Sequence, residues 1–208
     1  MSPTLHRILL FLALALPAQA QEKTGAQIYS QTCTACHGEN GGGNFELKSP
    51  PIAGLPQWYL ALQLERFRNG QRGAHPEDTT GIQMAAIAKT LEPDAVAAVI
   101  IHVSEMVKVP LEPVEDADAE RGKELYLERC ASCHRFNASG EQAFRSPPLR
   151  DFPAWYLHSQ YGKFKTGQRG TVPKDEDGAK MRIIAAMKTP EVDLQDILGF
   201  ITEAADKK

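Results

Sequence analysis

Everything this chain can fold into is bounded by a repeat. Cys33-Thr34-Ala35-Cys36-His37 returns 97 residues later as Cys130-Ala131-Ser132-Cys133-His134, and the surrounding sequence returns with it at the same offset. Laid together without a gap, residues 25–103 and 122–200 agree at 28 of 79 positions, far above what unrelated sequences of this composition share. Matched pairs include Tyr29 with Tyr126, Pro50-Pro51 with Pro147-Pro148, Trp58-Tyr59-Leu60 with Trp155-Tyr156-Leu157, Gly70-Gln71-Arg72-Gly73 with Gly167-Gln168-Arg169-Gly170, and Met84 with Met181. The chain is a tandem duplication, so any group that serves both copies must recur at this spacing.

The segments outside the repeat set the organisation. His6 and Arg7 precede the apolar residues 8–16, and Pro17 and the small-residue pattern Ala18-Gln19-Ala20 follow, which reads as a secretory signal peptide over residues 1–20. The apolar stretch is too short to span a membrane, which takes roughly 20 residues, so cleavage is expected to leave a chain with no integral membrane span. Residues 108–118 hold Pro110 and Pro113 and few large apolar side chains, and they read as an extended linker between domains at 21–107 and 119–208. With 42% hydrophobic residues, 24% charged residues and a net charge of -3, the composition is that of a globular chain. It excludes a collagen, a disordered tail protein and a generic nucleic-acid binder, so no nucleic acid is expected as a partner.

In an exported chain four cysteines would first suggest disulfides. Their C-x-x-C-H spacing suggests instead the covalent attachment of c-type haem, one on Cys33 and Cys36 and one on Cys130 and Cys133. Two thiols add to the two vinyl groups of one porphyrin, which places the adjacent histidine, His37 or His134, beneath the iron as proximal ligand. Two other readings compete: a closed tetrahedral zinc site, and a thiol–disulfide redox site. The first leaves both histidines and the repeated methionine without a role, and the second needs a βαβ setting that the helical pattern does not provide.

The repeat also acts as an internal control for the second axial ligand. Met84 and Met181, each 47 residues after its own histidine, are the methionines that match; Met106 falls opposite Glu203, and Met187 opposite Thr90. His75, His102 and His158 find no histidine at the matching positions. Met/His ligation raises the iron potential and fills both axial positions, and the alternative role for Met84 and Met181 is packing in the core. Trp58 and Trp155 could donate to a haem propionate or close a small core, and Arg72 and Arg169 could pair with propionates or lie in solvent.

Helices are expected over 24–34, 57–69 and 93–106 and over their counterparts 119–131, 154–166 and 190–204, with Gly- and Pro-rich loops between them and no strand. A unit of about 80 to 90 residues is small for independent stability, so haem loss is expected to unfold each domain.

The order C-x-x-C-H, Pro-Pro-Ile-Ala-Gly, Trp-Tyr-Leu-Ala-Leu-Gln-Leu-Glu-Arg-Phe-Arg-Asn-Gly, then Gly-Ile-Gln-Met resembles class I c-type cytochromes, and the two-domain layout resembles the dihaem cytochrome c4 family. That resemblance implies an all-α fold of two tandem cytochrome c domains, each wrapped around one covalent haem c, in a bacterial periplasm. It implies a one-electron carrier, not an enzyme, whose redox partners include a membrane respiratory complex or terminal oxidase. It also implies a proline carbonyl accepting from each proximal histidine, best matched by Pro50 and Pro147. The second unit departs more from the pattern, with Arg135 in place of Gly38 and Arg150-Asp151 in place of Ala53-Gly54. A cytochrome subunit of a dehydrogenase or oxidase remains an alternative, as does a dihaem enzyme such as a peroxidase or thiosulfate dehydrogenase, which would need an open axial position.

Overall fold

The computed structural model describes residues 23–187 and 189–206; the signal peptide assigned to residues 1–20 lies outside them. The described chain is helical and contains no strand, only the isolated bridges Asn44 to Ser49 and Glu141 to Ser146, which are themselves 97 residues apart. The N-terminal half holds α1 (Gly25–Thr32), α2 (Thr34–His37), α3 (Gln57–Arg68), α4 (Thr79–Thr90) and α5 (Pro93–Glu105). The C-terminal half repeats them as α6 (Ala119–Arg129), α7 (Ala131–His134), α8 (Ala154–Lys165), α9 (Glu176–Ala186) and α10 (Glu191–Asp206), with short 3-10 turns at Gln142–Phe144 and Leu149–Asp151. Between α5 and α6 the chain runs without a helix, tied down by Lys108 Nζ to Asp151 at 2.6 Å and by Gln195 Nε2 to the Glu115 carbonyl at 3.0 Å.

Each half is built on one close crossing of its first and last helices, α1 on α5 and α6 on α10. The approach requires glycine: a Cβ on Gly25 would stand 2.1 Å from the Ala98 carbonyl oxygen, and one on Gly122 would stand 1.9 Å from that of Asp196. Ile28, Tyr29, Val99 and Val103 fill the first contact, and Tyr126, Leu194, Ile197, Leu198 and Ile201 the second. Helix starts are satisfied locally. Thr24 and Gln27 form a capping box on α1, while Asp78, Asp118 and Asp175 accept backbone N–H groups at the starts of α4, α6 and α9.

The six helices expected from periodicity are present, each within a few residues of its expected ends. Helices α4 and α9 are not among those expectations, because Gly81, Ala85 and Ala88 form the buried face of α4, and Gly178 and Ala185 that of α9. Small residues in contact with a neighbour leave no broad apolar stripe for a periodicity argument to detect.

The two halves meet through α3 and α8. Leu55, Tyr59, Phe152 and Tyr156 form a buried cluster between them, with Phe152 5.8 Å from the Tyr59 ring and 5.1 Å from the Tyr156 ring. Leu55 and Phe152 are equivalent in the repeat, as are Tyr59 and Tyr156, so each half presents the same patch to the other.

Candidate functional site

In each half the C-x-x-C-H segment is a single helical turn that follows the first helix. Cys33 ends α1 and starts α2, and Cys130 does the same between α6 and α7. Cys36 and Cys133 are exposed, Cys33 and Cys130 are half-buried, and the four form no disulfide. Burial pushes the Cys33 and Cys130 thiols up to about 11. Among the described residues no group of three or more His, Cys, Asp or Glu side chains is placed to hold a metal ion.

His37 and His134 are 8% and 9% exposed. His37 Nδ1 lies 2.9 Å from the Pro50 carbonyl oxygen and His134 Nδ1 lies 3.2 Å from that of Pro147. A proton donated from Nδ1 to each carbonyl fixes the ring and leaves the Nε2 lone pair free for a metal. Burial lowers both imidazole pKa values, against the smaller opposing effect of the proline carbonyls, so the rings stay neutral as ligation requires. The loop after each histidine is held by Gly43 N–H to the His37 carbonyl and Gly140 N–H to that of His134. Tyr29 and Tyr126 are buried and hold this loop: their hydroxyls donate to the carbonyls of Gly38 at 2.6 Å and Arg135 at 2.8 Å.

Met84 and Met181 occupy the sixth position of α4 and α9 and are half-buried. Met106 packs instead at the edge of the α1–α5 core, and Met187 is 59% exposed beyond the end of α9. The unmatched histidines have local partners: His75 Nδ1 accepts the Glu77 N–H, His102 packs on the Tyr29 ring, and His158 Nε2 lies 2.6 Å from Glu191.

Arg72 and Arg169 sit where the halves meet. Arg72 is 7% exposed; it donates to Gln63 at 2.6 Å in its own half, and to Tyr156 and Gln160 of the other half at 3.4 Å. Arg169 donates to Gln160 at 2.7 Å. Each guanidinium stacks 4.3 Å above a phenylalanine ring, Phe67 or Phe164. Burial and then the nearby Arg72 charge push the Arg169 pKa down. Among the described residues neither arginine forms an ion pair, and the Nε atoms of both are shielded from solvent with no hydrogen-bond partner. Two adjacent cations, Arg72 buried and Arg169 half-buried, with unused donors need anions, and the two propionates that each haem carries have the right charge and acceptor chemistry. A cleft of about 150 Å³ opens beside them, lined by Gln71, His75, Gln168 and Arg169 among others. Trp58 and Trp155 lie edge-on to Tyr59 and Tyr156, at 5.7 and 5.8 Å, and Trp155 also contacts Phe45 of the other half at 5.4 Å.

The residues therefore suit a porphyrin in each half: paired thiols, a fixed neutral histidine, a half-buried thioether on the fourth helix of the half and arginines without anions. A haem c held there supplies a one-electron iron couple. Sequence reasoning did not single out Gln63, Gln160 and the Tyr59–Tyr156 pair as site residues. Their recurrence at the repeat offset was the available signal, but only the packed halves reveal that they partner the arginines.

The cytochrome c family matches residues 22–106 and again 119–204. Among curated proteins, the thiosulfate dehydrogenase electron acceptor of Stutzerimonas stutzeri (strain A1501) is 32% identical, over 94% of this chain and 93% of its own length. The Cbb3-type cytochrome c oxidase subunit FixP of Bradyrhizobium sp. (strain ORS 278) is 29% identical over 82% of this chain, and this chain spans 59% of it. Among solved structures, reduced recombinant cytochrome c4 from Pseudomonas stutzeri superposes with a TM-score of 0.65 at 25% identity, over 85% of this chain and 95% of that one. Thiosulfate dehydrogenase (TsdBA) from Marichromatium purpuratum superposes with a TM-score of 0.65 at 32% identity, over 86% of this chain but 39% of that one. Two matched halves, a cytochrome c4-like fold and relatives that carry electrons lead to one assignment: the chain belongs to the cytochrome c family, as a dihaem electron-transfer protein of two tandem cytochrome c domains.

Proposed function

We propose that this protein is a periplasmic one-electron carrier with two covalent haems, each ligated by histidine and methionine, that accepts electrons from a soluble oxidoreductase and passes them to a membrane respiratory complex or terminal oxidase. The observation that carries this reading is the duplicated ligand set: His37 with Met84 and His134 with Met181, each histidine fixed by a proline carbonyl. Iron held on both axial faces has no position left for a substrate, which favours transfer over catalysis. The near full-length relation to a thiosulfate dehydrogenase electron acceptor supports an oxidoreductase of small sulfur anions as donor, and the FixP relation supports an oxidase on the acceptor side. In this reading Cys33, Cys36, Cys130 and Cys133 carry the thioethers, Pro50 and Pro147 orient the histidines, Arg72 and Arg169 neutralise propionates, and Trp58 and Trp155 border the domain contact. Residues 1–20 direct export, 21–107 and 119–208 form the domains, and 108–118 connect them.

The test mixes the oxidised two-haem protein with thiosulfate, with and without a thiosulfate dehydrogenase. Reduction of both haems only when the enzyme is present is the expected result. Reduction by thiosulfate alone would make the protein an enzyme in its own right, and failure to accept electrons from the dehydrogenase would remove that donor.

A further inference from the structure

Each methionine-bearing helix is held at its start by a cation from the other half. Asp78 caps α4 by accepting the Gly81 N–H at 3.0 Å, and it is 2% exposed. Lys163, on α8 of the other half, places Nζ 2.5 Å from Asp78 Oδ1 and 2.8 Å from Thr80 Oγ1. At the position of Lys163 in the repeat stands Arg66, on α3, and its Nη2 lies 2.6 Å from Asp177 Oδ2 on the first turn of α9. Asp177 is the repeat equivalent of Thr80, so the two contacts are related by the same pseudo-twofold as the tyrosine cluster. Both cations are largely out of solvent, with side chains 16% and 8% exposed. Asp177 has other cations within 4 Å, Arg145 at 3.7 Å and Lys180 at 3.9 Å, but both are well exposed.

The far end and flank of α4 are held from within its own half, where Arg68 donates to the Ala88 carbonyl at 3.3 Å and to that of Leu91, and Phe67 packs on Ala85 and Ala88. The buried faces of α4 and α9 are glycine and alanine, with no large side chain of their own to lock the start of the helix. Within its own half, the first turn is met by a backbone contact: a Cβ on Gly73 would stand 2.2 Å from the Gly81 carbonyl oxygen, and one on Gly170 2.2 Å from that of Gly178. The cross-domain cation adds a second contact at the same turn. Met84 lies six residues beyond Asp78 and Met181 four beyond Asp177, so about 9 Å and about 6 Å of rigid helix connect each anchor to its thioether.

We propose that Lys163 and Arg66 are positioning residues acting across the domain interface: Lys163 sets the axial methionine of the N-terminal haem, Met84, and Arg66 sets that of the C-terminal haem, Met181. This rests on the assignment of the two methionines as ligands. It makes the domain contact part of each iron site, so that separating the halves loosens both axial bonds.

The experiment uses the full-length two-haem protein and imidazole, which competes with a thioether for ferric haem. In a Met181→Ala parent only the Met84 haem retains the thioether-to-iron absorption; in a Met84→Ala parent only the Met181 haem does. Adding Lys163→Met to the first parent is expected to let imidazole displace the thioether at about tenfold lower concentration, the size of effect that loss of one buried charged hydrogen bond produces. Adding Lys163→Met to the second parent is expected to leave the titration unchanged, and Lys163→Arg restores the parental behaviour in the first. Arg66→Met gives the mirror pattern. Thr80→Val, a milder loss on the same anchor, shifts the Met84 haem in the same direction and serves if Lys163→Met does not fold. A response of both haems to Lys163→Met would mean general loosening of the interface and would overturn the crossed assignment, as would a response of neither. A Met181→Ala parent that already lacks the thioether absorption overturns the Met84 assignment, and the anchoring falls with it; a parent that keeps the absorption but ignores both Lys163→Met and Thr80→Val overturns the anchoring alone.

Discussion

Arg135 and Gly38 follow His134 and His37, and both adopt nearly the same backbone: φ 66 and ψ 159 at Arg135, φ 77 and ψ 163 at Gly38. This region suits glycine and strains any residue with a Cβ, at about 1–3 kcal/mol. The turn is imposed by the neighbours, since the carbonyl of each residue receives a buried tyrosine hydroxyl and the next loop hydrogen-bonds back to the histidine. Ala138 stands at φ 57 where the first domain has Gly41, so the second domain bears the strain twice. Arg135→Gly should raise the stability of the C-terminal domain by about 1 kcal/mol, the strain relief being partly offset by the greater freedom of glycine in the unfolded chain. Denaturant unfolding of the two-haem protein measures this, and an unchanged or lowered midpoint counts against it. The sequence comparison already marked Arg135 as a departure; the cost became readable only with the dihedral angles.

Among the helices, the pairs α1 with α5 and α6 with α10 were legible because their apolar residues recur at helical spacing. Helices α4 and α9 were not, since a face of glycine and alanine yields no periodic signal although it packs closely. Met84 and Met181 could still be singled out as candidates, because recurrence at the repeat offset is independent of secondary structure. What sequence could not supply was the crossing distance. Gly25 and Gly122 match in the repeat, yet the reason lies in the 2.1 and 1.9 Å that a Cβ would leave to the facing carbonyl oxygens. Gly122→Ala forces α6 off α10 and should destabilise the C-terminal domain by about 1–3 kcal/mol, as overpacking does. Calorimetry of the variant beside the parent checks this, with a loss under about 0.5 kcal/mol contradicting the close crossing.

On the scale of the whole molecule, the repeat predicted two domains but said nothing of how they meet. The structure places a pseudo-twofold through Tyr59 and Tyr156, surrounds it with Arg72 and Arg169, and closes it with crossed contacts such as Gln71 to the Lys174 carbonyl and Gln168 to Glu77, which are equivalent under the 97-residue shift. Residues that looked like independent pairs in the sequence are thus parts of one shared surface. Phe152, 2% exposed and in contact with both tyrosines, is its apolar centre. Phe152→Ala should cost about 3–5 kcal/mol and turn one cooperative unfolding transition into two; a single transition retained at nearly the parental temperature would show that the halves are coupled elsewhere.

The central claim is that both irons are closed on both axial faces, which makes the molecule a carrier. Carbon monoxide added to the fully reduced two-haem protein tests it most directly, because the gas binds ferrous haem only where an axial position is open or easily vacated. No carbon monoxide adduct is expected at either haem; an adduct at one or both haems of every chain shows an open axial position and overturns the closed-iron carrier.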